Sequence, residues 1–221
     1  MNRTIIIAGA SGLVGRETLS ALLDSENFGT VYALSRREVN REHHKLKQII
    51  DSNLNVPAIA LDSVFPEVGV IALGSTIKKA GTKEKLRAID VELVTSTAEN
   101  MKYLGVKHLI VMSCLGADSN ARSHYLRCKG EMEEQVELLK FEKTTFLHPG
   151  PLAGNRQENR PDEKLLQGAL KVFRPLMLGS LKKYLPIQAT NIAKSIVVHS
   201  TFPTPSKVER LDSIDMMKLA S

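Results

Sequence analysis

Three features of the sequence predict an α/β fold, a Rossmann-type doubly wound parallel sheet with a small C-terminal substrate-facing lobe. Short apolar runs alternate with helix-length segments through about the first 150 residues, the pattern of βαβ units. Several runs are apolar at successive positions, as strands covered by helices on both faces require. A glycine-rich turn follows the first run directly.

Taken in order, the strand candidates are Thr4 to Ala8, Thr30 to Ser35, Leu46 to Ile50, Val68 to Leu73, Lys107 to Met112 and Thr144 to His148. Between them, helical periodicity covers Leu13 to Asp24, Lys83 to Leu104 and Tyr125 to Leu139, the second ended by Gly105. Pro57 and Pro66 interrupt the connection from Asn53 to Glu67. After Pro149-Gly150-Pro151 the texture turns to polar loop, then helical stretches near Asp162 to Phe173 and Thr190 to Ser200. This tail has too little continuous apolar pattern to bury a core of its own. Residues 1–221 are therefore expected to form one domain, with 151–221 contributing the reduced lobe.

The composition, 43% hydrophobic and 24% charged, is that of an ordinary globular chain and excludes disorder. Thirty Lys and Arg against 24 Asp and Glu give +6, a balance suited to anionic ligands. The basic residues form no long run, so nucleic-acid binding is not expected. Cys114 and Cys128 are too few for a disulfide framework and lack metal-site spacing; no metal is expected. The four-residue apolar run near the start is far shorter than a signal core or membrane span. A cytoplasmic protein without membrane attachment is the expectation.

The segment Ile5-Ile6-Ile7-Ala8-Gly9-Ala10-Ser11-Gly12-Leu13-Val14-Gly15 puts three glycines where a strand gives way to a helix. A tight turn needs a residue without a Cβ, a pyrophosphate must approach backbone N–H groups, and the helix must pack near the strand. Gly9, Gly12 and Gly15 meet those needs, with Ser11, Leu13 and Val14 at the helix N-terminus that receives the anion. An NAD site usually carries an acid about 20 residues later. Here the second strand ends Ser35-Arg36-Arg37, and a guanidinium pairs with a 2′-phosphate. NADP(H) is favoured over NAD(H), although the arginines could also solvate a loop, with Glu38 close by. Asp51 could accept from the adenine amino group or cap a turn.

Tyr125 and Lys129 stand four apart on a predicted helix and share a face. Tyr103 and Lys107 have the same spacing but flank Gly105, so they do not. Ser113 closes the fifth strand at the edge where α/β folds place ligands. With GASGLVG at 9 to 15, SRR at 35 to 37, VMSCLGA at 111 to 117, YLRCK at 125 to 129 and HPGPLAG at 148 to 154, the chain resembles the short-chain dehydrogenase/reductase superfamily in its extended or atypical branch. The stretch KGEMEEQVELLKF, with PGPLAGNRQENRP after it, resembles the Tat-interacting oxidoreductase-like NAD(P)-binding proteins of that branch.

The resemblance implies a Ser113, Tyr125 and Lys129 triad acting on a small carbonyl or alcohol. Tyrosine titrates near 10, and a nearby ammonium favours phenolate. The resemblance also implies that Lys129 holds the nicotinamide ribose and that Ser113 hydrogen-bonds the substrate oxygen. Pro149, Gly150 and Pro151 should lie by the nicotinamide, with Gly74 and Ser75 along the cofactor. His148 stands where many relatives carry arginine. His124 and Cys114 adjoin triad members but are read as packing residues. Arg156, Arg160 and Lys183 could bind an anionic substrate or face solvent. An NADP(H) sensor or scaffold, or a nucleotide-sugar epimerase-like enzyme, is the alternative. Two of the long helices could pair in a homodimer.

Overall fold

The structure is a computed structural model that describes residues 3–57, 65–153 and 183–220. Strands β1 (Arg3–Ala8), β2 (Phe28–Ser35), β3 (Leu46–Ile50), β4 (Val68–Ile71), β5 (His108–Met112), β6 (Lys143–His148) and β9 (Val208–Asp212) make one sheet in the order β3-β2-β1-β4-β5-β6-β9. Every adjacent pair is parallel. A separate short parallel pair joins β7 (Leu152–Ala153) to β8 (Ile187–Gln188). The order reverses between β1 and β4, which opens a crevice at the C-terminal ends of those strands.

Side-chain alternation along the strands divides the core into two layers. Ile6, Ala8, Tyr32, Leu34 and Val111 pack with Val94, Ala98 and Met101 of α4 (Val94–Tyr103) and with Cys128, Met132 and Val136 of α5 (His124–Leu138). Ile5, Ile7, Val31, Ala33 and Ile110 face the other way, onto α1 (Leu13–Asp24), α6 (Ala189–Thr201) and α7 (Ser213–Ala220). Helices on both faces explain why the central strands read as unbroken apolar runs.

The predicted helix 83–104 is three pieces. It begins as α3 (Lys83–Arg87), passes through a π-helical turn at Ala88–Leu93 and continues as α4. A short α2 (Ile77–Ala80) precedes it, capped by the Thr76 hydroxyl. The sequence reading had no strand after His148, yet β9 adds a seventh to the sheet, pairing Leu147 with Leu211 and His148 with Asp212. The predicted helix near Asp162 to Phe173 lies outside the described residues. Among the described residues no helix is long and apolar enough to cross a membrane.

Candidate active site

The turn after β1 is built by close approach. Gly9 has φ 91°, and a Cβ there would sit 2.7 Å from the Ala72 backbone. A Cβ on Gly15 would overlap the Gly9 carbonyl oxygen. Gly12 N–H donates to Gly9 O at 3.0 Å and holds the turn closed. Gly12 is also the N-cap of α1, which has no side-chain cap and no acid in its first turn. The helix therefore presents N–H donors and the positive end of its dipole without an internal anion to occupy them.

A cleft of about 730 Å³ runs from this turn along the C-terminal ends of the strands, within the usual size for a ligand site. It brings together Ser11, Gly12, Leu13 and Val14 of the turn, Gly74 and Ser75 after β4, Ser113 after β5, Tyr125 and Lys129 of α5, and Pro149, Gly150 and Pro151 after β6. Gly9 and Gly15 shape the turn from beneath. Ser35, Arg36, Arg37 and Asp51 are not among the cleft's walls. The Ser35 hydroxyl donates to Arg37 O at 2.6 Å, and Asp51 Oδ1 accepts from the N–H groups of Asn53 and Asn55, each at 2.9 Å. The Asp51 carboxylate thus organises its own turn.

Tyr125 is partly exposed while Lys129 and Ser113 are buried. The Lys129 ammonium lies 3.1 Å from Asp90 Oδ1 and donates to Met112 O at 3.4 Å. Asp90 is on the π-helical turn and fully buried; its Oδ1 also accepts from Ser75 N–H at 3.2 Å, and its Oδ2 has no hydrogen-bond partner among the described residues. Gly74 makes this arrangement possible, since a Cβ there would lie 3.1 Å from Asp90 Oδ1 and 3.5 Å from Lys129 Nζ.

Ser113 is tied to a second buried acid. Its hydroxyl donates to Glu133 Oε1, which also receives His148 Nε2 at 2.7 Å, while Arg210 Nε donates to Glu133 Oε2 at 2.9 Å. Burial works to raise the Glu133 carboxyl. The hydrogen bond and charge of His148, with Ser113 and Arg210, outweigh it and hold the group below the usual carboxylate range. His148 therefore acts on Glu133, and β9 supplies a guanidinium to the same carboxylate.

Cys114 lines the cleft, while His124 is bonded outside it. Cys114 shares a hydrogen bond with the Tyr125 hydroxyl, but burial pushes its thiol up to about 11 against the pull of Lys129 and Tyr125, so it stays protonated at neutral pH. His124 turns away, to Lys83 O at 3.0 Å and Cys128 Sγ at 3.4 Å. Tyr103 ends α4 almost fully exposed, remote from a shared face with Lys107. Arg156 and Arg160 lie outside the described residues, and the Lys183 ammonium rests over the Tyr184 ring, 5.5 Å from its centroid. The sequence reading missed Arg16, Lys79 and Tyr184, which line the cleft, and the buried acids Asp90 and Glu133.

A parallel sheet with its switch point at a glycine turn, and a cleft fed by that turn, define a Rossmann-type dinucleotide-binding protein. A family model described as NAD(P)H-binding matches residues 9–169, and the chain belongs to that family. The protein HTATIP2 of Rattus norvegicus is 35% identical over 169 residues, 74% of this chain and 69% of that protein. The mitochondrial protein fmp52 of Emericella nidulans is 33% identical over 175 residues, 75% of each. Among solved structures, a short-chain dehydrogenase/reductase superfamily protein from Agrobacterium tumefaciens with bound NAD superposes with a TM-score of 0.65 at 12% identity, over 95% of this chain and 77% of that one. A UDP-glucuronic acid 4-epimerase from Bacillus cereus in complex with NAD gives 0.65 at 13%, over 95% and 78%. At that identity the likeness is one of fold.

Proposed function

We propose that the protein is an NADP(H)-dependent oxidoreductase acting on a small carbonyl or alcohol, with Tyr125 as acid/base, Lys129 beside it and Ser113 at the substrate oxygen. The observation that carries this reading is that one cleft is walled both by the phosphate-binding turn and by Ser113, Tyr125 and Lys129. The residues present fit the dinucleotide: the uncapped N-terminus of α1 suits a pyrophosphate, and Gly9 and Gly15 leave the backbone room to approach it. When bound, the nicotinamide supplies or accepts the hydride.

The protein's own part is positional and protonic. Ser11 to Val14 would hold the phosphates, Gly74, Ser75 and Pro149 to Pro151 would flank the nicotinamide half, and Lys129 would reach the ribose. Tyr125 would donate a proton to the developing alkoxide in reduction, and remove it in oxidation. Support for the 2′-phosphate comes from Ser35 at the end of β2 and Arg36 and Arg37 just after it, on the strand beside β1 in the sheet order, and from Arg16 on the cleft wall. Arg36→Ala is expected to weaken NADPH binding far more than NADH binding; equal losses in a fluorescence titration reject the preference.

The test of turnover is NADPH oxidation across a panel of aldehydes, ketones and quinones. Tyr125→Phe should abolish whatever the wild type reduces, and an unchanged rate removes Tyr125 from the reaction. One observation favours a second reading, an NADP(H) sensor or scaffold: the single Ser113 hydroxyl proton is committed to Glu133 instead of the cleft. Tight NADPH binding with no turnover on the panel would establish it over the enzyme. We also propose a cytoplasmic protein that can pair as a homodimer, without nucleic-acid or membrane partners. Because fungal relatives are named mitochondrial, fractionation of expressing cells decides the first point and light scattering the second.

A further inference from the structure

Three independent features single out Asp90. It is a carboxylate with no exposed surface, it keeps a buried oxygen without a partner among the described residues, and it sits on a π-helical turn within an otherwise α-helical segment. Each is unfavourable on its own terms. A buried ion pair seldom repays its desolvation relative to an apolar pair, a buried oxygen without a partner loses its hydration uncompensated, and a π-turn is a rare departure found often at functional sites.

The π-turn places Asp90 against the one ammonium of the triad, 3.1 Å from Lys129 Nζ, with Ser75 N–H fixing the same oxygen at 3.2 Å. We propose that Asp90 is a positioning residue that balances the charge of Lys129, so that Tyr125 faces a neutral ion pair in place of a lone ammonium. This deepens the oxidoreductase reading and rests on it for the role of Tyr125. A lone buried ammonium one helical turn from the phenol would favour phenolate more strongly, and the phenol must hold its proton to deliver it to a carbonyl oxygen. Asp90 offsets part of that field and limits how far Lys129 favours phenolate, while Lys129 remains pinned to the strand edge through Met112 O.

Other ionisable groups near Tyr125 are Cys114 after β5, Lys79 of α2, Arg16 of α1 and Tyr184 before β8, with Glu133 behind Ser113. All of them stay in place in the variants below. A unit charge several ångströms away, at an effective dielectric of about 20, moves a titration midpoint on the order of one pH unit.

The chain contains no Trp and four Tyr, so phenolate absorbance can be followed directly in the protein without cofactor. The Tyr125 midpoint is obtained as the difference between each protein and its Tyr125→Phe counterpart. Asp90→Asn, which keeps the shape and the hydrogen bond from Ser75, should lower that midpoint by about one pH unit, a tenfold change in ionised fraction at fixed pH. An unchanged or raised midpoint overturns the proposal. Should Asp90→Asn fail to fold, Lys129→Met is compared with the double variant Asp90→Leu/Lys129→Met. A midpoint about one unit lower in the double supports the charge balance, and equal midpoints overturn it. A shift in a protein that then shows no NADPH turnover sinks the oxidoreductase reading and leaves this one standing; turnover without the shift does the reverse.

Discussion

Single atoms decide what the glycine turn tolerates. Gly9 combines a left-handed φ of 91° with a backbone 2.7 Å from where a Cβ would go, so Gly9→Ala meets both conformational strain and a clash with an immovable neighbour. The expected cost is about 1–3 kcal/mol in stability, with a loss of NADPH binding larger than stability explains, since the displaced turn carries the donors proposed for the phosphates. Thermal unfolding with and without NADPH measures both, and a variant that keeps the full NADPH-induced rise in Tm refutes the assignment of the turn. These glycines were legible in the sequence because the requirement is local: an apolar strand, three glycines and a helix lie within eleven residues. Asp90 and Glu133 were not, because a charged residue in a helix is ordinarily solvated, and the groups that make them exceptions stand far away. Lys129 is 39 positions from Asp90, and Arg210 is 77 from Glu133.

Elements differ in how much of their role their own residues declare. α1 turns Val14, Leu19, Leu22 and Leu23 inward against Ile5, Ile7 and α6, a periodicity readable along the chain. β9 is the opposite case. Its sequence Val-Glu-Arg-Leu-Asp contains one well-buried apolar side chain, Leu211, because it is an edge strand whose Glu209 and Arg210 reach polar partners on α6, β6 and α5. It therefore gives no apolar run to recognise. The two elements should respond differently to substitution. Leu22→Ala leaves a cavity in a fully buried layer and is expected to cost about 2–5 kcal/mol. Arg210→Gln removes a half-exposed guanidinium from the buried Glu133 and from Glu137 and should cost about 1–3 kcal/mol. Urea midpoints compare them; a larger loss at Arg210 would make the β9 tie, and not the α1 layer, the weak point of the fold.

Across the whole molecule, the sheet separates two polar regions at its opposite edges: the cleft at the C-terminal ends of the strands, and a buried cluster at the N-terminal ends of β5 and β6. In the latter, Lys143 Nζ donates to Thr204 O at 3.0 Å and Ser206 O at 2.8 Å, and pairs with Glu209 at 3.3 Å; Glu209 also holds His199, and His108 Nε2 meets Thr145 Oγ1 at 2.9 Å. Burial, reinforced by His199 and Lys143, lowers His108 to about 3. Burial also lowers His199, against the pull of Glu209. Both imidazoles therefore favour the neutral form more in the folded state than in the unfolded chain, where they titrate near 6.5. Their depressed values make stability full above about pH 6.5 and progressively lost as pH falls toward the folded values, by about 1.4 kcal/mol per pH unit for each group while only the unfolded chain takes up its proton. Glu133 and Glu209, also depressed, add their own loss below about pH 4.5. The urea midpoint should thus fall between pH 7 and pH 4.5, before the carboxylates contribute, and His108→Gln should flatten that slope by about one proton's worth. A wild-type midpoint constant over this interval, or a slope unaltered in His108→Gln, would show that the cluster does not set the acid stability of the fold.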